Sequence, residues 1–333
     1  QYYIFEKDEK YKDLYFADLY KNNNAITKHT YASIVDTCRE YYDKKTEQGR
    51  LEEKVNYVKS AINPIIKRGG DKLKKLNNEL MQSAEKEKLN IFGQLLLTYG
   101  YDIQKGAKQY AAVNVLAEEQ NIITIPLDVN LTPYENAQRY FKKYKKLKSA
   151  EEHLLVQIEK TADEINFLSD QLYFIQECKT TQDADEVITL LTSEGYIRQS
   201  SGRKTQAESV PHHFISSDGF DIYVGKNDKQ NEFLTHKFAK KQDIWLHTKI
   251  IAGSHVIIKT NGKQVPKNTL LEAAHLSAFF SKARNSENVP VDYTFVSYVR
   301  KIRNATIGKV TYTNYKTLYV TPDEALVKSL KTT

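Results

Sequence analysis

A long repeat of apolar residues between positions 133 and 178 constrains the fold of this chain more than any other feature. Two of its positions carry Glu151 and Thr161 in place of apolar residues. An α-helix with such a seam cannot bury it alone, so the repeat predicts a long helix packed against a second one. The repeat advances in alternating steps of four and three residues for about six heptads, through Ala137, Tyr140, Tyr144, Leu147, Leu154, Ile158, Ile165, Leu168, Leu172 and Ile175.

The start of this helix and its partner are also indicated. Residues 132–135, Thr-Pro-Tyr-Glu, supply an N-cap, a proline at the first helical position and the acid of a capping box. Residues 44–98 are predicted to form the partner, the first coiled-coil helix, with a kink near Pro64 because proline removes a backbone donor. Their seam runs through Leu51, Val55, Val58, Ile62 and Ile65, and resumes at Leu73, Leu76 and Leu80.

The segment between the two helices, residues 99–132, is more than a loop. Two β-like runs, 110–115 and 122–127, flank a polar turn, and residues 89–99 and 103–109 indicate short helices. We therefore expect a small α/β knob with a β-hairpin at the tip of a long antiparallel coiled-coil hairpin. Such a knob either only closes the hairpin or contacts a distant part of a large partner. We favour the second because a rigid arm has little value to a small-molecule enzyme.

The remaining segments flank this hairpin. Residues 1–43 are rich in aromatic residues and too short to bury them, so we expect the end of a larger domain. Residues 133–205 hold the second coiled-coil helix, a short helix and a linker, which is composed of residues 200–209. From 206 to 333, seven short strand patterns and two helical patterns predict an α+β domain with a mainly antiparallel sheet. The predicted fold class is α+β.

Composition narrows the class of protein. The 333 residues suffice for two or three domains, and an aromatic content of 11% is too high for a disordered chain. Cys38 and Cys178 are the only cysteines, which indicates a reducing compartment rather than a disulfide framework. The sequence has no signal-peptide pattern and no membrane-length apolar run, so we expect a cytoplasmic protein. A chain that begins with Gln1 is consistent with a fragment of a longer protein.

Positive charge is concentrated in the C-terminal third. Residues 206–333 contain 18 Lys and Arg against 11 Asp and Glu, whereas residues 1–205 hold 31 of each. This excess either keeps the domain soluble or attracts a polyanion, most often a nucleic acid.

The stretch DIWLHTKIIAGSHVII, residues 243–258, carries the only tryptophan of the chain. Strand alternation places Trp245, His247 and Lys249 on one face, which suits base stacking and phosphate binding. The simpler alternative, slightly favoured for Trp245, is that it packs under a helix. The candidate RNA- or partner-binding residues are Lys240, Lys241, Trp245, His247, Lys249, His255, Arg300, Lys301 and Arg303.

No catalytic or metal motif stands out. A triad of Ser254 with Asp243 and either His247 or His255 can be composed, but no GxSxG elbow accompanies it. A zinc site needs three or four convergent ligands, and the histidines show no such spacing. We therefore expect no enzyme activity, no cofactor and no metal. The histidines considered are His212, His213, His247, His255 and His275.

Ordered blocks of this sequence resemble the C-terminal part of the NFACT family. The blocks are IPLDVNLTPYENAQRYFKKYKKLKSA, DGFDIYVGKNDKQNEFLT, DIWLHTK, AGSHVII, LLEAAHLSAFFSKAR, VPVDYTFVSYVRK and TLYVTPDEAL. The resemblance covers the coiled-coil, middle and NFACT-R regions from about residue 40 onward, and residues 1–43 resemble the end of the NFACT-N domain. The family includes the fibronectin-binding protein A group, bacterial RqcH and eukaryotic NEMF.

The resemblance implies a function on the ribosome. Family members bind large ribosomal subunits that carry an obstructed nascent chain, hold tRNA and promote C-terminal tailing, mostly with alanine in bacteria. They act as scaffolds, so the expected partners are the large subunit and tRNA. The alternative is an adhesin that binds fibronectin or a related host extracellular-matrix protein and reaches the bacterial surface by a non-classical route.

Two loops depart from the family pattern. Residues 301–308 read KIRNATIG where a KPxGAKPG-like loop is usual. Ile251 and Ala252 replace the acidic residue and the proline that usually precede GSH. If the first loop contacts RNA in the family, its binding is altered in this chain.

Overall fold

The computed structural model describes residues 1–7, 10–21, 23, 25–83, 85–117, 121–198, 209–303 and 306–332. Its contacts divide the chain into two compact units. One unit consists of Gln1–Pro64 and Phe167–Thr333, and the other of Ile65–Asn166. Of the predicted linker at 200–209, only Ser209 is among the described residues.

The first strands form a three-stranded antiparallel sheet that the sequence did not reveal. The strands are β1 (Tyr2–Lys7), β2 (Lys10–Tyr15) and β3 (Thr27–Tyr31), in the order β2-β1-β3. Ile4 and Phe5 are fully buried in it. These alternating aromatic and polar runs suit a half-buried sheet.

The first helix, α1 (Ile34–Ser83), begins ten residues before the predicted start at residue 44. Its Tyr41 hydroxyl donates a hydrogen bond of 3.0 Å to the carbonyl oxygen of Lys12, which ties the helix to the sheet. The helix continues through Pro64. Val58 and Ile62 of its seam are fully buried.

Three helices follow, α2 (Lys86–Thr98), α3 (Pro133–Glu177) and α4 (Thr181–Ser193). Residues 44–98, predicted as the first coiled-coil helix, are thus divided between α1 and α2, and α2 corresponds to the helix predicted over residues 89–99. The physical reason is that α2 faces a core of its own and does not extend the seam of α1. That core consists of Phe92, Leu95, Leu96, Ile103, Ala112, Ile125 and Ala137.

The middle unit contains the expected hairpin, formed by β4 (Gln109–Val113) and β5 (Ile122–Pro126). The short helix predicted over residues 103–109 is wrong. Within it, Gly106 has a φ of +89°, a left-handed conformation that an α-helix does not contain and that glycine adopts without strain.

The predicted capping box at the start of α3 is confirmed. The backbone N–H of Glu135 donates to Oγ1 of Thr132 at 3.3 Å. The backbone N–H of Thr132 donates in return to Oε2 of Glu135 at 2.7 Å. Two backbone donors that the helix leaves unsatisfied thus find partners.

The two polar residues of the α3 seam both have partners. Glu151 forms an ion pair with Lys86. The hydroxyl of Thr161 donates to the carbonyl oxygen of Gln157 at 2.7 Å.

The C-terminal part of the first unit contains a seven-stranded sheet in which every pair of described strands is antiparallel. A separate two-stranded sheet lies beside it. The strands of this region are β6 (His212–Ile215), β7 (Asp221–Val224), β8 (Ile244–Thr248), β9 (Val256–Ile258), β10 (Val289–Phe295), β11 (Val299–Lys301), β12 (Val310–Tyr312), β13 (Lys316–Val320) and β14 (Lys331–Thr332). The large sheet has the order β13-β10-β8-β9-β7-β6-β14, and β11 pairs with β12.

Helices cover both faces of the large sheet. The first is α5 (Asp228–Phe233), which continues as a π-helical turn over Leu234–Phe238. The others are α6 (Lys267–Phe279) and α7 (Glu324–Ser329). The predicted mainly antiparallel α+β domain is confirmed. Within the described ranges, no helix has both the length and the apolar character that a membrane span requires.

Candidate nucleic-acid interface

Strand β8 is an inner strand of the large sheet, between β10 and β9, and divides its side chains between two faces, as the alternation predicted. Ile244 and Leu246 join the core under α6. Trp245 points to the other face, where its strand neighbours are Ile257 of β9 and Thr294 of β10. The unusual residues of this strand therefore share the face that carries α5 and the loop after β11.

Trp245 is fully buried. Its ring lies 4.8 Å from that of Tyr312, 5.8 Å from His247 in a stacked arrangement, and 5.2 Å from His255 edge to face. A base cannot stack on the exposed sheet at this position, so the predicted role of Trp245 in surface stacking does not fit the structure. The Nε1 atom of the indole is nonetheless buried without a hydrogen-bond partner among the described residues.

The two histidines beside Trp245 have fixed ring orientations. Nδ1 of His255 is 2.7 Å from the Thr235 hydroxyl, and its backbone N–H donates to Oδ1 of Asn231 at 2.9 Å. Nε2 of His247 donates to the carbonyl oxygen of Gly253 at 3.3 Å. Burial lowers the pKa of both imidazoles below the ordinary histidine value, and for His255 well below it. Both rings are therefore neutral near pH 7.

The structure does not assemble the catalytic triad considered for Ser254, Asp243 and either His247 or His255. The Asp243 carboxylate forms an ion pair with Lys259 and accepts backbone hydrogen bonds from Lys240 at 2.8 Å and Thr260 at 3.0 Å. Its role is therefore to fix the entry into β8. The partner of His255 is Thr235 and the partner of His247 is a backbone carbonyl, so neither imidazole is oriented by this aspartate.

The other histidines take part in packing. His212 stacks on Phe280 at 4.8 Å, and His213 pairs with Asp221 at 2.8 Å. Across the described residues, no cluster of three or more His, Cys, Asp or Glu side chains has the arrangement of a metal site.

A cavity of about 200 Å³ lies beside Trp245. Five parts of the chain line it: the last turns of α3, the helix α5, strand β8, the loop between β8 and β9, and the described residues Ile302, Thr306, Gly308, Lys309, Val310 and Tyr312. The predicted residues Trp245, His247 and His255 are all among its lining residues. Burial and hydrogen bonds thus bring these three together, although they do not lie on an exposed surface.

Asp228 is a lining residue that sequence reasoning missed. It is half-buried, and Nε2 of Gln171 donates to its Oδ2 at 2.7 Å. Burial raises the pKa of its carboxyl group to about 7. Gly308 lies so close that a Cβ atom there would be 2.8 Å from Oδ1 of Asp228, and its φ of +86° also favours glycine.

Both loops that depart from the family pattern meet at this cavity. Ala252 lines it from the β8–β9 loop. Ile302, Thr306 and Gly308 line it from the other side. The parts of residues 301–308 that fall at positions 304 and 305 lie outside the described residues.

The predicted cations do not form one cluster. Lys240 and Lys241 precede β8 and are exposed, as are Arg300 and Arg303. Lys249 lies at the opposite end of β8, with its ammonium 5.2 Å from the ring centre of Tyr315.

Lys301 is exposed, but it forms an ion pair of 2.6 Å with Glu232. Within the described part of the chain, Lys240, Lys241, Arg300 and Arg303 form no such pair. We call these four residues the cationic edge. Lys249 also forms no ion pair among the described residues, but it lies at the other end of β8 and its ammonium faces the ring of Tyr315.

Two family models match consecutive parts of the chain. Residues 1–209 match the NFACT N-terminal and middle domains, and residues 210–314 match the NFACT protein RNA binding domain.

Curated relatives extend this similarity. The Rqc2 homolog RqcH of Bacillus subtilis (strain 168) is 38% identical over 304 residues, which are 90% of this chain and 53% of that protein. The Rqc2 homolog RqcH of Streptococcus suis (strain 05ZYH33) is 35% identical over 97% of this chain and 57% of that protein. The ribosome quality control complex subunit NEMF homolog of Drosophila melanogaster is 26% identical over 54% of this chain and 16% of that protein. The chain spans about half the length of the bacterial relatives it matches.

A solved structure matches the fold. It is the C-terminal part of the fibronectin/fibrinogen-binding protein from Streptococcus suis, with a TM-score of 0.67 and 32% identity. The match covers 85% of this chain and 99% of that one.

Proposed function

This chain belongs to the NFACT family, and from that premise we propose that it acts in ribosome-associated quality control in the cytoplasm. In this proposal it binds large ribosomal subunits that carry an obstructed nascent chain, together with tRNA, and promotes C-terminal alanine tailing of that chain. It does so by holding RNA and protein in place. Peptidyl transfer is left to the ribosome.

The proposal rests on one observation, the names of the relatives that this chain matches. Bacterial proteins at 35–38% identity over 90% or more of this chain are named Rqc2 homologs. More distant fungal and insect relatives are named as subunits of the ribosome quality control complex. A common task across these lineages fits a chain whose C-terminal third carries the positive charge.

The cationic edge supports RNA as the contacted polymer. Exposed Lys and Arg side chains bind phosphates and release counterions, so they favour a polyanion over a neutral partner. Lys241 contacts the turn between β10 and β11, where the N–H of Ser297 donates to its carbonyl oxygen at 3.1 Å. Arg300 follows three residues after Ser297, so the edge draws its charges from two segments joined by this contact.

We also propose that the unit Ile65–Asn166 is an antiparallel coiled-coil hairpin with the knob at its tip. A Cβ atom at Gly69 of α1 would lie 2.9 Å from Cγ1 of Ile165 in α3, so the two helices approach closely. The next pairing joins Lys86 to Glu151. As the residue number rises from 69 in α1 to 86 in α2, the number of the contacted residue in α3 falls from 165 to 151. Antiparallel helices have this pattern.

The domain limits follow as part of the same proposal. Residues 1–43 are the end of an NFACT-N-like domain, with α1 starting inside this segment. Residues 99–132 complete the knob, which also includes α2. Residues 133–205 supply the second arm, α4 and the linker, and residues 206–333 form the NFACT-R-like domain.

An adhesin is the second candidate, and one observation favours it. The solved structure with similar fold comes from a protein named for binding fibronectin and fibrinogen. In that case this chain binds a host matrix protein at the cell surface.

Sedimentation with purified ribosomal subunits tests the two candidates against each other. We expect the full chain to sediment with large subunits, less with small subunits, and to be released as salt is raised from about 50 to 200 mM, because phosphate contacts weaken steeply with salt. Immobilised fibronectin, measured in the same buffers, is the matched arm. Retention on fibronectin without sedimentation with large subunits would overturn the ribosomal proposal in favour of the adhesin.

A further inference from the structure

The cavity beside Trp245 has the size of a site for one small ring system. Its volume is about 200 Å³, whereas sites for drug-sized ligands usually measure about 300–1,000 Å³. Of its lining residues, Ile302 is 39% exposed, whereas Trp245 and His255 are buried. A whole nucleotide or a peptide segment is too large for this space, but a single planar heterocycle is not.

The charges that line the cavity do not suit an anion. Asp228 and Asp170 contribute carboxyl groups, and the two histidines are neutral. Among the described lining residues, Lys309 is the only Lys or Arg, and its charge already acts on Asp228, where it lowers the carboxyl pKa. A phosphate would therefore meet two acidic groups and one cation that is already engaged.

The walls suit a flat and polar ring. Trp245, Tyr312 and Phe174 supply aromatic surfaces. His247 and His255 add two imidazoles that lie 5.3 Å apart, edge to face. Base recognition in proteins commonly combines stacking surfaces with hydrogen bonds to the edge of the base.

Polar atoms around the cavity lack partners. Nε1 of Trp245 and Oγ1 of Thr306 are buried and form no hydrogen bond within the described ranges. Both residues line the cavity. An indole N–H can only donate, a hydroxyl can do both, and the Asp228 carboxyl accepts and, when protonated, also donates, so the complementary occupant carries both acceptors and donors. Buried polar groups normally have partners, which makes two orphans at one cavity informative.

We propose that this cavity takes one unpaired nucleobase of a bound RNA, packed against Trp245 and Tyr312 and hydrogen-bonded by Trp245 Nε1, Thr306 Oγ1 and Asp228. The inference rests on the proposed function, because it assumes that the domain binds RNA. In this arrangement the cationic edge binds phosphates without regard to sequence. The cavity then selects single-stranded positions, where a base is free to turn out.

The single tryptophan provides a direct measurement, because Trp245 is the only one in the chain. The full chain is titrated with end-labelled RNA hexamers of A, C or U and with an abasic hexamer of the same phosphate number. Label anisotropy reports binding, and tryptophan fluorescence reports occupancy of the cavity. We expect all hexamers to raise the anisotropy, but only those with bases to quench the tryptophan.

Variants then separate the cavity from the rest of the domain. Thr306→Val removes a hydroxyl that has no hydrogen-bond partner among the described residues, and Ala252→Leu adds bulk at a lining position. We expect each to weaken binding of the base-containing hexamers by about 5- to 10-fold, with no effect on the abasic one. Thr311→Val, at an exposed position of β12, is the matched control and should change neither reading. Thermal unfolding of each variant checks that it folds.

The outcomes distinguish the two levels of the proposal. Binding of all hexamers with unchanged fluorescence, and equal affinities for Thr306→Val and wild type, would overturn the base pocket while leaving RNA binding intact. No binding of any RNA would overturn both. Quenching by free adenosine as tight as by the hexamer would assign the cavity to a soluble ligand and contradict the RNA assignment.

Discussion

At the scale of single residues, the sequence pattern predicted which face of a strand a side chain occupies, but not which residues surround it in the fold. Alternation along β8 assigned Trp245 and Leu246 to opposite faces, and the structure agrees. Asp228 was missed because its position after Asn227 is ordinary for a helix start, and Asn227 does cap α5 by accepting from the N–H of Gln230 at 2.9 Å. Its role at the cavity depends on Gln171 and Gly308, which approach only in the folded chain.

The raised pKa of Asp228 predicts a pH-dependent stability. Burial raises the pKa of this carboxyl group from 3.8 to about 7, so folding favours the protonated form. The group's contribution is fully present below pH 4 and is lost as the pH rises through 7. Asp228→Asn keeps an acceptor for Gln171 and removes this titration. We expect the variant to gain roughly 2 kcal/mol relative to wild type between pH 4.5 and pH 8, since the carboxyl is only half-buried.

Urea unfolding of both proteins at several pH values measures this difference. Asp71→Asn, at an exposed position of α1, is the control and should follow wild type at every pH. Parallel stability curves for Asp228→Asn and wild type would show that this carboxyl has no raised pKa.

At the scale of helices and strands, the periodic sequences were the predictable ones. The seam and the Thr132 capping box defined α3 correctly at its start. The break between α1 and α2 was not placed exactly, because the mostly polar residues 82–88 contain no proline or glycine to mark it. The core shared with Ile125 and Ala137 shows that Phe92 and Leu96 pack separately from the seam of α1. The N-terminal sheet was missed because its strands are short. Its central strand β1 pairs with β2, which follows it directly, and with β3, which follows later in the sequence.

The capping box at the start of α3 should stabilise its first turn measurably. Thr132→Ala removes the oxygen that accepts from the N–H of Glu135, and such changes cost about 1 kcal/mol. We expect faster amide hydrogen exchange in residues 133–137, by roughly 5-fold if that cost is local. Thr98→Ala, whose hydroxyl donates to the carbonyl oxygen of Gln94 within α2, is the control and should leave this turn unchanged. Equal exchange in both variants would mean that the cap contributes nothing.

At the scale of the whole molecule, ordered motifs were enough to predict the family and the α+β class. The motifs could not predict which Lys and Arg side chains form ion pairs. Lys301 appeared equivalent to Arg300 in the sequence, yet its ammonium is paired with Glu232. Lys249 belonged to the same predicted set as Lys241, but the two residues lie at opposite ends of β8. The cationic edge is therefore smaller than the predicted set, and its location depends on tertiary contacts that no local pattern contains.

The salt dependence of binding to large ribosomal subunits tests the central claim most directly. If the chain binds RNA through the cationic edge, log affinity falls linearly with log salt concentration, and Lys240→Gln/Lys241→Gln reduces the magnitude of that slope by about one to two units. Lys263→Gln/Lys267→Gln removes the same charge from exposed positions at and before the start of α6, and should leave the slope unchanged. A slope near zero for wild type, or identical slopes for the two double variants, would contradict the account.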